Sequence, residues 1–339
     1  MGRLRYLVAL AAILAVLPLS AFAQSVISAK SGLVQVADGE VYLDGKALKL
    51  EFGQFPSLPE NSVLKTSEGR SEVLLTPGVF LRSGADSSLK LISSRLSDTR
   101  VEVLTGRHDV EVVNLEEDNA VTISMGAVTV PLDKPGVYRF DAGAGVIKVY
   151  EGKLEVRAGD SIVSLKKGRY LSVNNGMQVA SFDPDSYDGL LRWTARRSKY
   201  ISMANISAAR TAYGSGYYSS GMPSRWMWNP YLGLMTYLPG SGSFNSPFGW
   251  YFYSPRAVYS VYYPPVVPSI GGGGFGGAGG GWSQQGGYSV SSPRSSGGAY
   301  SASPSMGSGS PAAAASAPAA SPRSGGDATP RGGGSGGHR

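Results

Sequence analysis

Between residue 24 and about residue 182, apolar and polar positions alternate in short runs, each broken by Gly, Asp, Asn or Pro. Examples are LVQVADGEVYLDGKALKL (33–50), SEVLLTPGVFLRS (71–83), VEVLTGRHDVEVV (101–113), AVTISMGAVTVPL (120–132) and SIVSLKKGRYLSV (161–173). A period of two sends successive side chains to opposite faces of a pleated strand, and Val, Leu and Ile suit a surface buried on one side. No helical stretch lies between the runs, so parallel crossover units are not expected. The pattern predicts an all-β domain over 24–182: a sandwich, an open roll or a short solenoid. In GVYRFDAGAGVIKVYEGKLEV (136–156) the polar residues are expected to decorate the solvent face of that framework.

At SFDPDSYDGLLRWTARRSKYISMANISAAR the period changes. Tyr187, Leu190, Leu191, Thr194, Ile201 and Ala204 recur at helical spacing, which predicts one amphipathic helix within 183–210 packed on the β domain. Asp183 and Pro184 fit its cap and first turn. In the following segment, 211–263, sixteen of the 51 positions from 213 onward are aromatic, and prolines and glycines interrupt every potential helix or long strand. The remainder, 264–339, is rich in Gly, Ser, Pro and Ala, a composition that cannot bury enough apolar surface to offset ordering and predicts disorder.

The first 23 residues read as a cleaved secretory signal peptide. Arg3 and Arg5 precede an apolar run, and Ala21-Phe22-Ala23 supplies small residues at the −3 and −1 positions. The run is shorter than the roughly 20 residues of a spanning helix. The expected location is therefore outside the cytoplasm: the periplasm, with outer-membrane association or secretion as further destinations. The chain has no Cys, which removes disulfides, thiolate metal sites and cysteine nucleophiles. The formal charge is +7; losing Arg3 and Arg5 with the leader leaves +5, too dilute to indicate nucleic acid.

Candidate chemistry is sparse. His108, in TGRHDVEV, is read as an exposed turn residue with no accompanying nucleophile. Glu116, Glu117 and Asp118 read as a solvated loop, because adjacent carboxylates point apart instead of flanking a cleft. Asp183, Asp185 and Asp188-Gly189 approach a calcium loop but miss its spacing, and capping accounts for them better. The stretch 271–281 lacks the Lys-Ser/Thr and the flanking elements of a phosphate loop. No catalytic residue, cofactor or metal is expected. Arg192, Arg196 and Lys199 give the helix a basic face open to anionic lipid or cell-wall polymer. Trp226, Trp228, Tyr231, Trp250, Tyr251 and Tyr253 belong to the aromatic belt, which either covers the β domain or forms an interaction surface.

The order of features over about residues 32–175 resembles the FecR domain. The phrases carrying the likeness are NSVLKTSEGRSEVLLTPGVFLRSGADSSLKLIS (61–93), VEVLTGRHDVEV (101–112), GVYRF (136–140), IKVYEGKLEV (147–156) and LKKGRYLSV (165–173). The resemblance implies an all-β, solenoid-like fold used for protein recognition, without enzymatic activity. Only five residues precede the apolar segment, so no cytoplasmic sigma-binding domain is expected, and the family's sigma-regulator role is not carried over. The reading is an exported, non-enzymatic recognition or sensing module with an envelope protein as partner. A polysaccharide or peptidoglycan binder using the aromatic belt is the alternative.

Overall fold

The computed structural model describes residues 30–216 and 221–262. The expected signal peptide and the expected disordered tail lie outside the described residues. Strands β1 (Leu33–Leu43), β2 (Lys46–Ala47), β3 (Val63–Leu74), β4 (Val79–Ser83), β5 (Ser87–Arg95), β6 (Asp98–Thr105) and β7 (Arg107–Val112) make the first half of one large sheet. Its second half holds β8 (Val121–Met125), β9 (Val128–Pro131), β10 (Gly136–Asp141), β11 (Val146–Glu151), β12 (Lys153–Ala158), β13 (Ser161–Lys166), β14 (Arg169–Ser172) and β15 (Gln178–Ser181). The order is β13-β12-β9-β8-β6-β5-β3-β4-β7-β10-β11-β14-β15, with β1 on β3 and β2 on β1. The sheet is mixed: β6 and β8 run parallel, with Thr99 opposite Val121, and the other described pairs are antiparallel. The all-β expectation holds.

The sheet turns at β3. Val63–Thr66 pair with β5, whereas Ser71–Leu74 pair with β4, so one strand belongs to two leaves. At the bend Gly39 of β1 faces Gly69 of β3 beside a register shift. A Cβ on Gly69 would lie 2.7 Å from the Asp38 carbonyl oxygen and 2.8 Å from the Glu40 backbone nitrogen. Only glycine lets the two backbones cross this closely. Between the leaves, Val73, Leu81, Val110, Ile123, Val130, Tyr138 and Ile147 fill the main core.

The outer side of β3, β4, β7 and β10 is roofed. The roof consists of α1 (Gly189–Gly214), the hairpin β16 (Arg225–Asn229) and β17 (Leu234–Leu238), the hairpin β18 (Ser243–Asn245) and β19 (Tyr251–Tyr253), and α2 (Pro255–Tyr262). Beneath it Leu33, Leu74, Phe80 and Val113 of the β body meet Ile201, Trp226, Tyr237 and Phe252 in a second apolar cluster. Leu190, Leu191, Thr194, Ile201 and Ala204 are buried as the helical spacing predicts; Tyr187 lies ahead of the helix and is exposed.

Three local expectations are corrected. Asp188, not Asp183, caps α1: its Oδ1 accepts from Leu191 N at 2.9 Å. The Asp183 side chain instead closes a short turn, accepting from Asp185 N at 3.1 Å. The helix also runs four residues past 210, to Gly214. The aromatic segment does contain a helix, because Pro255 occupies its first turn, where the missing N–H costs nothing.

Gly69→Ala forces a methyl group into the crossed backbone. We expect a loss of about 2–4 kcal/mol in unfolding free energy, read as a lower denaturant midpoint with an unchanged slope. Gly126→Ala is the comparison, since a Cβ there meets nothing within 4 Å; its left-handed φ of +59° limits the cost to about 1 kcal/mol.

Candidate functional site

On the roofed face, neighbouring strands carry charges of alternating sign. β3 contributes Glu72, β4 Arg82, β7 Asp109 and Glu111, and β10 Arg139. Register places Glu72 opposite Arg82, Arg82 opposite Asp109, and Asp109 opposite Arg139. Alternation sends Val73, Leu81, Val110 and Tyr138 into the main core, so the charged side chains next to them point the other way, beneath α1, alongside Leu74 and Phe80. All five are buried; Arg139 is the most accessible, at 3%. This corrects the expectation for GVYRF, whose arginine faces the roof and not solvent.

Each carboxylate meets an arginine, while Arg82 Nη2 is buried without a hydrogen-bond partner. Arg82 reaches Glu72 (Nε–Oε2, 2.6 Å) and Glu111 (Nη1–Oε2, 2.7 Å). From α1, Arg197 meets the other Glu72 oxygen at 2.7 Å, and Gln35 donates to the same atom at 2.9 Å. Ser198 and Ser246 both donate to Glu111 Oε1 at 2.6 Å. Arg139 grips Asp109 (Nε–Oδ1, 2.6 Å) and Asp188 (Nη1–Oδ2, 2.6 Å), so the helix cap is also an ion pair to β10. Thr194 donates to Asp109 Oδ2 at 3.0 Å. Burial would raise the Glu72 carboxyl, but Arg197 and Arg82 outweigh it and hold it at about 2. The network welds roof to body, and its carboxylates are spent on arginines and hydroxyls of the same network.

His108 is corrected as well. It lies inside β7, fully buried, on the core side. Its Nε2 is 2.9 Å from the Thr105 carbonyl, which can only accept, so Nε2 carries the proton and Nδ1 accepts from Ser83 Oγ at 3.0 Å. Desolvation pushes the ring down to about 4 despite the Thr105 bond. Glu116 is tied to Ser224 and Asn114, while Asp118 lines a cleft of about 790 Å³ with Ser57, Glu60, Arg95 and Asn119. In that cleft Glu60 accepts from Ser94 N and Oγ at 2.8 and 3.0 Å, which lowers its carboxyl. Among the described residues no group of three or more His, Asp and Glu could hold a metal ion.

The nine candidate interaction residues do not form one surface. Trp226 is a correction: at 1% exposure it is sealed, edge-on to Phe80 at 5.2 Å, with its indole N–H on the Leu75 carbonyl. Trp228, two residues on and on the same face of β16, packs at the margin of the same apolar cluster, half-buried between Phe52 (5.7 Å) and Phe55 (5.2 Å). Tyr231 follows at the hairpin tip, 87% exposed. Trp250 is half-buried with the Lys199 ammonium 5.3 Å from its ring centre, and Tyr251 stacks on Tyr253 at 5.9 Å. Arg192 and Arg196 are exposed on α1, Arg192 donating to the Tyr187 carbonyl at 2.7 Å. The sequence reading missed Phe52, whose loop carries no periodic pattern to single it out.

No family model matches the chain, and no curated protein does. Among solved structures, two crystal structures of a "putative anti-sigma factor" from Parabacteroides distasonis ATCC 8503 match. One is 16% identical over 40% of this chain and 64% of the other, with a TM-score of 0.32; the chain thus spans less than two thirds of that protein's length. The second is 13% identical over 52% of this chain and 97% of the other, with a TM-score of 0.31. Likenesses this distant carry no argument about function, and the FecR resemblance remains an expectation from the sequence.

Two outcomes follow from the buried groups. Above about pH 6.5 neither folded nor unfolded His108 holds the extra proton; between about 6.5 and about 4 only the unfolded chain takes it. Stability should fall with falling pH across that window by roughly 3 kcal/mol. His108→Gln should abolish that slope while the loss below about pH 4.5, from Glu72, persists; denaturant titrations at several pH values decide this. Arg82→Met leaves Glu111 without its cation and Glu72 with Arg197 alone, and should cost about 3–5 kcal/mol in the same assay.

Proposed function

We propose that the chain is a non-catalytic recognition module of the cell envelope, which presents a braced aromatic tip to a partner protein. The observation that carries this reading is the tip itself. Phe52, Tyr231 and Leu232 are 77%, 87% and 48% exposed, around the half-buried Trp228. Isolated exposed rings are ordinary, but a contiguous group held in place is the usual anchor of a protein interface.

The tip is held firmly. Asn229 Oδ1 accepts from Tyr231 N and Leu232 N, both at 3.1 Å, and its Nδ2 donates to the Ala204 carbonyl of α1 at 3.1 Å. Gly233, at φ +63°, lets the Phe52 ring approach within 2.4 Å of where a Cβ would stand. Little ordering is left to be done on binding, which favours affinity. The resemblance to FecR domains, which recognise proteins, points the same way. Export through residues 1–23 and an envelope partner are part of this proposal.

The glycan alternative has lost the sealed Trp226, though Tyr231 and Phe52 still offer ring faces. Photo-crosslinkers placed at 52 and 231 in cells should yield one discrete protein adduct. Tyr231→Ser should weaken capture of that partner about tenfold or more, and a crosslinker at the exposed Asp160 should give no adduct. Retention on purified cell wall that is lost in Tyr231→Ser, without a protein adduct, would replace this reading with the glycan one.

A further inference from the structure

The charges of this chain are segregated between body and roof. Residues 30–188 carry 18 Lys and Arg against 23 Asp and Glu, a formal −5. Residues 189–262 carry seven Lys and Arg and not one Asp or Glu, a formal +7. Of those seven, Arg197 is turned inward onto Glu72 and is 17% exposed. Arg192, Arg196, Lys199, Arg210 and Arg256 are exposed, and all but the last lie on α1.

Along α1 these bases fall into line with apolar side chains. Arg192, Arg196, Lys199, Met203, Ile206, Arg210 and Tyr213 are separated by steps of four, three, four, three, four and three residues, which keeps them on one side of a helix. The buried residues Leu191, Thr194, Ser198, Ile201, Asn205 and Ala208 occupy the opposite side. The first half of the line is cationic. The second half exposes Met203 at 49%, with Tyr200 beside it at 52%, and ends where Tyr213 stacks on Tyr259 of α2 at 4.6 Å. Two shallow hollows of about 440 and 400 Å³ meet there, sharing Arg210 and Thr211.

We infer that the outer face of α1 rests on the surface of an anionic lipid bilayer. The bases would meet headgroup phosphates, and Met203 and the tyrosines would enter the headgroup–acyl boundary. The charge distribution favours a bilayer over an acidic protein. An interfacial helix sets bases for the headgroups beside side chains that enter the acyl boundary; this layer has one sign over 74 consecutive residues, with Met203, Tyr200 and Tyr213 exposed beside the bases. No helix among the described residues is long and apolar enough to cross a membrane, and the proposed contact is lateral. The inference does not depend on the aromatic tip, which uses other residues.

The absence of Cys makes the face easy to interrogate. An environment-sensitive dye on Met203→Cys in the full chain should shift to the blue with vesicles of phosphatidylglycerol in phosphatidylcholine, and less at high salt. The same dye on Asp160→Cys, in the β body, should not respond, which separates this face from any contribution of residues 1–29 or 263–339. Arg192→Gln/Arg196→Gln/Lys199→Gln should reduce the dye-detected partitioning roughly a hundredfold, with an unchanged thermal midpoint confirming that Arg197 and the roof are intact. An unshifted Met203→Cys probe, an equal shift with pure phosphatidylcholine, or undiminished partitioning of the triple variant would each overturn the inference.

Discussion

The buried ion network between sheet and roof is the constraint on which the rest of the structure depends. Glu72, Arg82, Glu111, Asp109 and Arg139 sit where an ordinary two-leaf β fold would be wet. Once roofed, each needs a partner of fixed geometry, because an unpaired buried charge costs more than any single contact returns. The roof therefore cannot slide: Arg197, Ser198, Thr194 and Asp188 fix α1 at four points along its N-terminal half. Asn205 continues the same logic farther on, donating to the Tyr237 and Tyr253 carbonyls at 2.9 and 3.0 Å and so holding both hairpins. Such networks need not add net stability over an apolar interface, but they select one arrangement among many.

That fixed arrangement is what gives the surface features their meaning. Asn229 spends its amide on α1 and its oxygen on the hairpin turn, so the position of Tyr231 is set, through the roof, by charges in the sheet. The outer line of α1 is equally determined, since turning Arg197 inward leaves Arg192, Arg196 and Lys199 outward. Interior polarity and exterior function are thus two sides of the same helix.

The β class, the helix and its apolar stripe were legible because they rest on periodicity, which needs no knowledge of neighbours. The network was not. A charge flanked by apolar residues, as in VFLRS, HDVEV or GVYRF, reads as a solvent-facing position until strand order is known. The opposite signs become a pattern only when β3, β4, β7 and β10 lie side by side. The aromatic belt was ambiguous for a similar reason: Trp226 and Trp228 share one face of β16, and only tertiary contacts decide which of them is sealed. His108 was misplaced because its Gly-Arg neighbours suggested a turn, while the strand begins one residue earlier, at Arg107.

The position of the roof in the chain has a consequence for the order of assembly. A polypeptide emerges from its N-terminus, so the whole body is available before residues 188–246 arrive. Without those residues Glu72, Asp109 and Glu111 would face water, with Arg82 and Arg139 as their neighbours. The late segment brings Arg197 and three hydroxyl donors to acceptors already in place. The body is a nascent template with an anionic seam, and the last third of the fold is the strap that closes it.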